Sequence, residues 1–515
     1  MHGYARGVLA LLLVFVTWTV GKSKLRKRRN HAKAASLGCL PPPELRSKNF
    51  IGNSILRDSM RATREDRGPQ YVIEQMDGIS ADCHTLKVPI LDYELLVTRD
   101  PDNARVLFSS SDFDISHTRQ LSWMPLLGKG IFTSRGDVWR HSRQLLRPQF
   151  AREMISDPGL EESHLNDLWK QLPADSSTGW TGKVDLAPLF FKFTLDTATE
   201  FIFGQSTNSL QQAGQGKDIS DHFNEAKVWI DKRGALAKFY WLLNSKEFKE
   251  HCNVIHRFVD QIVADRLAQP SEKATADPEK VARFNLLNEL ARESQDPREL
   301  RNETLHVLIA GRDTTGCLLG WVVYFLARHP EVFDKLRNTI LECFGTNHAD
   351  FRSLQKVSYL QWVINETLRI VTVIPMNERI ALRDTTLPRG GGVDGKSKVF
   401  VPEGTQVLIP LYAMQHRQDL WGNDVEEFRP DRWETCRPGW EFLPFGAGAR
   451  KCLGQQFGKQ EVSYVISRIC QRYDRIENME EGDGRIRLHH AIENRSGTGV
   501  QVRLHEARSS TRTNA

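Results

Sequence analysis

Apolar positions recur at helical spacing over most of the chain. The longest pattern runs from Pro297 to Arg328, where Leu300, Leu305, Leu308 and Ile309, then Leu318, Leu319, Val322, Val323 and Leu326, form one broad stripe. Recurrence near 3.6 residues marks a helix that buries a face. Glu331 to Phe344 and Asp350 to Arg369 predict two more helices. Strand-like stretches are short and few: Glu94–Thr98, Lys398–Val401 and Gln406–Ile409. There is no internal repeat. The fold class this predicts is mainly α with small peripheral β-sheets. Pro388-Arg389-Gly390-Gly391-Gly392 lacks the helix and the Lys-Ser/Thr ending of a phosphate loop and reads as a flexible turn before a strand.

One segment departs from amphipathic patterning. Gly7 to Gly21 carries no charge. As a helix it covers about 22 Å at about 1.5 Å per residue, against a hydrocarbon core of about 30 Å. Arg6 and Trp18 suit the two interfaces. A secretory signal has an apolar region of similar length, but no small-x-small cleavage site follows. A dense basic run follows instead, from Lys22 to Lys33. It would hold that flank in the cytosol, against lipid headgroups. Pro41-Pro42-Pro43 then reads as a stiff extended spacer. The expected organisation is a membrane anchor at 1–21, a basic and Pro-rich linker at 22–44, one catalytic body at 45–505 and a disordered tail at 506–515.

Charge and cysteine content narrow the class. The net charge of +6 over 515 residues is concentrated in the basic run, which argues against a general nucleic-acid surface. The eight cysteines are widely spaced, with no C-x-x-C pair, and read as reduced thiols facing a cytosolic compartment. Asn302, Asn365 and Asn494 begin glycosylation sequons that should stay unused there.

The strongest chemical signal is residues 445–454, FGAGARKCLG, with Phe445, Gly448, Arg450, Cys452 and Gly454 at F-x-x-G-x-R-x-C-x-G. A thiolate bound to iron needs its charge softened by backbone N–H groups, and a Gly-rich loop lets several aim at one sulfur. A helix starting behind the cysteine adds positive potential. Phe445 can shield the sulfur, and Arg450 can pair with a haem carboxylate. In this loop the chain resembles the cytochrome P-450 family of haem-thiolate monooxygenases. The resemblance covers about residues 45–505. Glu366 and Arg369 give E-x-x-R, and Phe428 to Trp433 (FRPDRW) is similar to the family's meander, whose second Arg, here Arg432, joins the helix pair in a buried charge network.

The resemblance implies a set of roles. Cys452 is the axial ligand of haem b. AGRDTT, residues 310–315, lies on a long central helix over the haem, with Ala310 against bound oxygen and Thr314 and Asp313 relaying protons. Thr314 would open that helix locally with its hydroxyl. Trp139, Arg143 and Arg379 donate to haem carboxylates. One departure stands out: Thr372 occupies a position where the family commonly has Pro, in a loop that approaches substrate. Leu126–Glu153, AGRDTT and Thr385–Gly395 resemble the fungal alkane and fatty-acid hydroxylase branch, which oxidises a terminal or near-terminal carbon. A fungal secondary-metabolite oxidase of the same fold is the alternative, and an oxygen-independent haem isomerase or dehydratase a more distant one. By position, the substrate pocket is expected from Leu121, Leu126, Val307, Val373 and Ile374. The chain carries no flavin or dinucleotide fingerprint, so electrons are expected from NADPH through a separate NADPH-cytochrome P-450 reductase, with cytochrome b5 as an optional donor and exposed Lys451 on the docking face. The location implied is the endoplasmic reticulum membrane, with the catalytic body in the cytosol.

Overall fold

The computed structural model describes Thr17, Trp18, Gly21, Lys22 and residues 24–47, 53–90, 93–150, 158–212, 219–268, 285–490 and 492–507. Most of the expected anchor, and the tail beyond residue 507, lie outside these residues. Among the described residues no helix is long and apolar enough to cross a membrane. They group into two compact units, one drawn from Met1–Asp58, Val72–Asp114 and Asn377–Pro410, the other from Ser59–Tyr71, Ile115–Met376 and Leu411–Ala515.

The smaller unit is built on a mixed sheet. Its strand order is Thr85–Ile90, Tyr93–Thr98, Gln406–Pro410, Met376–Ala381, Phe113–Asp114. The first two pair antiparallel, and Tyr93–Thr98 runs parallel to Gln406–Pro410. The triple-proline segment is fastened to this unit rather than standing free as a spacer. Lys87 N–H donates to the Pro43 carbonyl at 2.8 Å and Gly392 N–H to the Pro41 carbonyl at 3.0 Å. Part of the basic run is engaged by protein as well: Lys33 pairs with Asp384 at 2.6 Å and Lys27 lies 3.7 Å from Glu94.

The Pro388–Gly392 segment corrects the sequence reading. Thr385–Gly391 is itself a strand, paired antiparallel with Ser397–Val401 across a bulge between Leu387 and Gly391. The glycines are there for close approach, not for flexibility. A Cβ on Gly391 would stand 2.5 Å from the Leu40 carbonyl oxygen and 2.6 Å from that of Lys398. Buried Asn103 pins the strand by donating to the Arg389 carbonyl at 2.9 Å and accepting the Arg389 N–H at 3.1 Å.

The larger unit is helical. The helices that position the site are α1 (Gly136–Leu146), α2 (Leu186–Phe203), α3 (Ile219–Ala235), α4 (Lys246–Ala268), α5 (Pro297–Leu326), α6 (Ser358–Val371) and α7 (Gln455–Arg472). The start of α5 follows from its sequence: Asp296 caps the Arg298 N–H and Pro297 opens the first turn, where its missing N–H costs nothing. Every apolar residue of the predicted stripe is buried. Helix α2 packs along α5, and the approach is close because Gly316 has no side chain. A Cβ there would stand 2.9 Å from Thr194 Oγ1 and 3.3 Å from the Phe190 carbonyl oxygen. Thr194 Oγ1 in turn donates to the Arg312 carbonyl at 2.7 Å.

The predicted helix Glu331–Phe344 is found as Pro330–Phe344. The predicted Asp350–Arg369 helix is two helices, Phe351–Lys356 and α6, broken at Val357, whose ψ of 93° is extended. Each half buries its own apolar face, Phe351 and Leu354 in one, Leu360, Val363 and Ile364 in the other. Helix α6 ends at Thr372, buried and with φ +44°. A β-branched residue is strained there. Gln415 offsets the strain by donating to Thr372 Oγ1 at 2.5 Å. Asn302 and Asn494, at two of the three sequons, are buried, and all eight cysteines are unpaired.

Candidate active site

The cysteine loop turns on two glycines with left-handed backbone, Gly446 (φ +64°) and Gly448 (φ +66°). Gly454 needs no such freedom: its φ is −84° and a Cβ there would make only ordinary contact with Phe150. The Cys452 N–H donates to the Phe445 carbonyl at 3.0 Å, and α7 begins three residues on, at Gln455. Cys452 keeps open surface although protein surrounds it on most sides. Burial pushes its thiol up, while the Gly454 N–H and the charges of Arg143 and Lys451 pull it down. A thiol held this way gives up its proton readily once a cation takes the sulfur.

Beside the loop is a cluster of cations on α1 and its flanks. Arg450 stacks over the Trp139 ring at 4.4 Å from its centroid and donates to the Ser134 carbonyl at 2.9 Å. Arg143 lies 5.8 Å from the same ring and donates to the Lys451 carbonyl at 3.0 Å. Burial, with Arg147 nearby, pulls the Arg143 guanidinium down. Arg135, at the start of α1, has Nε and Nη2 buried without a hydrogen-bond partner. Sequence reasoning did not single out Arg135, whose only local signal was its place before the Trp139 helix. Buried donors of this kind call for an anion. An accessible thiol next to orphaned guanidinium donors fits haem, which presents one metal and two carboxylates.

Helix α5 remains α-helical from Pro297 to Leu326, so the Thr314 hydroxyl does not interrupt it. Thr314 Oγ1 donates to the Ala310 carbonyl at 2.7 Å. Most of this helix is buried, yet Val307, Ala310, Gly311 and Thr314 keep accessible surface. Their spacing, i, i+3, i+4, i+7, puts them on one face. That face is small-residued and apolar except for one hydroxyl.

Asp313, on the buried side, is held by charge. Its Oδ1 lies 2.7 Å from Arg312 Nη1 and 3.0 Å from Lys227 Nζ on α3. Lys227 also pairs with Glu493 at 2.6 Å. Arg312 is anchored by Ser220 Oγ at 2.6 Å and Asn224 Oδ1 at 2.9 Å. The second oxygen of Asp313 is buried without a partner. Lys227 and Glu493 were not foreseen, because nothing local in the sequence sets them apart.

The pocket candidates divide. Val307 and Ile374 have accessible surface, Leu121 is half-buried, Val373 is buried, and Leu126 is fully enclosed in the apolar core. Arg379 belongs to the smaller unit, where it donates to Asn377 Oδ1 at 2.9 Å and stacks over Phe108. A surface cleft lined by Glu250, Asn253, His256, Arg257, Asp260 and Arg301 contains none of the candidates. The E-x-x-R pair is assembled: Glu366 receives Arg369 at 2.9 Å, Arg432 Nε at 2.9 Å and Trp433 Nε1 at 3.0 Å, all buried.

Residues 84–490 match the family model described as Cytochrome P450. Among curated proteins, the chain is 38% identical to Cytochrome P450 monooxygenase g430 of a Fusarium species, over 91% of this chain and 85% of the relative. It is 36% identical to Cytochrome P450 52A13 of Debaryomyces hansenii, over 91% of each. With Cytochrome P450 52A5 of Candida maltosa it shares 39% identity over 85% of this chain and 86% of the relative.

Proposed function

The chain belongs to the cytochrome P450 family and is a haem-dependent monooxygenase, and on that premise we propose that it hydroxylates a long-chain alkane or fatty acid at or near the terminal carbon. The observation that carries this reading is the open face of α5. Val307, Ala310 and Gly311 offer an apolar surface beside a single hydroxyl, Thr314, which suits an apolar chain better than a polar substrate. The resemblance of Leu126–Glu153 and Thr385–Gly395 to the alkane and fatty-acid branch supports the same reading.

Bound haem supplies oxygen activation and the oxidising power to attack an unactivated C–H bond. The chain's residues do the rest. Cys452 would ligate the iron as thiolate. Arg135, Trp139, Arg143 and Arg450 would hold the haem carboxylates. Thr314 positions a water with the hydroxyl it now donates to Ala310, and Asp313 passes protons inward through its unpartnered oxygen. Electrons come from NADPH through a separate reductase, and exposed Lys451 beside the ligand suits an acidic partner. The uncharged Gly7–Gly21 stretch and the basic run after it support an endoplasmic reticulum membrane location.

The test is a substrate-binding difference-spectrum screen of graded fatty acids and alkanes against polycyclic and polyketide-like compounds. Tightening of binding with chain length is the expected result. Exclusive binding of the ring compounds would replace this reading with that of a secondary-metabolite oxidase. Turnover of a hydroperoxide without NADPH or reductase would replace it with that of an isomerase.

A further inference from the structure

Away from the haem-thiolate site, α3 and α4 bring three metal-ligating side chains together, with a second histidine behind them. His222 and Glu225 lie three residues apart on α3, and Glu247 and His251 four apart on α4, so each pair shares a helix face. The two imidazoles meet across the helix pair, with His222 Nδ1 3.0 Å from His251 Nδ1. One ligand atom each from Glu225, Glu247 and His251 falls within 4.8 Å of the others. The His251 side chain is 8% exposed, whereas both glutamates face solvent.

We propose that Glu225, Glu247 and His251, through its Nε2, form a divalent transition-metal site, best suited to Zn2+, that cross-links α3 and α4, with His222 orienting His251 from its Nδ1 side. In a tetrahedral zinc site with bonds of about 2.0 Å, neighbouring ligand atoms stand about 3.3 Å apart. His251 Nε2 lies 4.0 Å from Glu247 Oε1, and the two glutamates close to that separation by rotamer changes at an exposed edge, which leaves the fourth position to water. An imidazole with two carboxylates favours zinc or its transition-metal neighbours over Ca2+ and Mg2+, which prefer all-oxygen shells. In the absence of metal, one imidazole donates its Nδ1–H to the other. Metal takes the Nε2 lone pair of His251 while its Nδ1 keeps the bond to His222, so the site competes with protons and weakens in acid. Helix α3 also presents Lys227 to Asp313, so a clamp at Glu225 stiffens the helix that holds the acid of α5.

The experiment uses the haem-loaded enzyme without a polyhistidine tag, stripped with chelator and dialysed to equilibrium against graded Zn2+, with zinc and iron measured together. One high-affinity zinc per iron is expected, with a melting temperature that rises with free Zn2+. In the double variant His222→Gln/His251→Gln, the affinity should fall at least 100-fold and the zinc-dependent rise should vanish, while melting in chelator matches the parent. The double variant Glu225→Gln/Glu247→Gln changes only exposed residues and should weaken binding at least 10-fold. It carries the test if the histidine variant fails to fold. Zinc binding unchanged in the glutamate variant, or no zinc retained by the parent, overturns the proposal.

Discussion

Cys452 and Thr314 differ in what their loss should do. Replacing Cys452 by Ser removes the soft thiolate ligand, and the reduced, CO-treated protein should lose the thiolate-type Soret band together with all turnover. Thr314→Ala should leave that band intact, because the hydroxyl donates to Ala310 and the helix is continuous without it. Its cost is expected in coupling, with most electrons appearing as hydrogen peroxide. NADPH consumption and product measured side by side decide this, and unchanged coupling removes Thr314 from the proton path. Thr372 is a third residue with its own consequence. Its φ of +44° is closed to proline, which is fixed near −65°, and its N–H bonds the Leu368 carbonyl at 3.1 Å. Thr372→Pro should therefore destabilise by about 3 kcal/mol or more. Thr372→Gly exchanges relief of left-handed strain for the lost Gln415 bond and should stay within about 1 kcal/mol. Urea denaturation of the two variants separates these outcomes.

At the scale of elements, the tie between α3 and α5 is the one most exposed to a single change. Lys227 stands between Asp313 and Glu493, with all three buried. Lys227→Met should leave two carboxylates short of a counter-charge and cost about 3–5 kcal/mol; a loss under 1 kcal/mol in denaturant would show that Arg312 alone suffices. This tie also marks the boundary of what the sequence discloses. Helix α5 was legible end to end because its cap, its proline and its apolar period are all local. The Cys452 loop was legible because its glycines and its Arg lie within ten residues. Lys227, Glu493 and Arg135 were not, since their importance arises only when distant segments meet. The break at Val357 and the strand through Gly391 were misread for the same reason. Packing of each helical half, and the carbonyl groups of Leu40 and Lys398, decide conformations that local propensity leaves open.

For the whole molecule, stability should depend on pH through buried carboxyls. Burial raises Glu461, on α7, from an ordinary 4.5 to about 7, against one opposing bond from Thr197. Below about pH 4.5 both folded and unfolded chains keep this proton and nothing is lost. Between 4.5 and 7 the unfolded chain releases it while the folded chain does not, so stability falls by roughly 3 kcal/mol and then levels off. Glu303, raised to about 7 mainly by burial, adds in the same direction. Glu461→Gln keeps the acceptor for Thr197 and should lose its share of this slope, growing more stable than the parent as pH rises from 5 to 8. Parallel denaturation curves at both pH values would refute it. The open face of α5 acts on a different timescale. Val307, Ala310 and Gly311 keep accessible surface on an otherwise buried helix, so substitutions there can accumulate over generations with smaller effect on folding than at its buried positions. What this enzyme oxidises is thus free to drift faster than the scaffold that oxidises it, and a handful of positions on one helix face is where that divergence would be written.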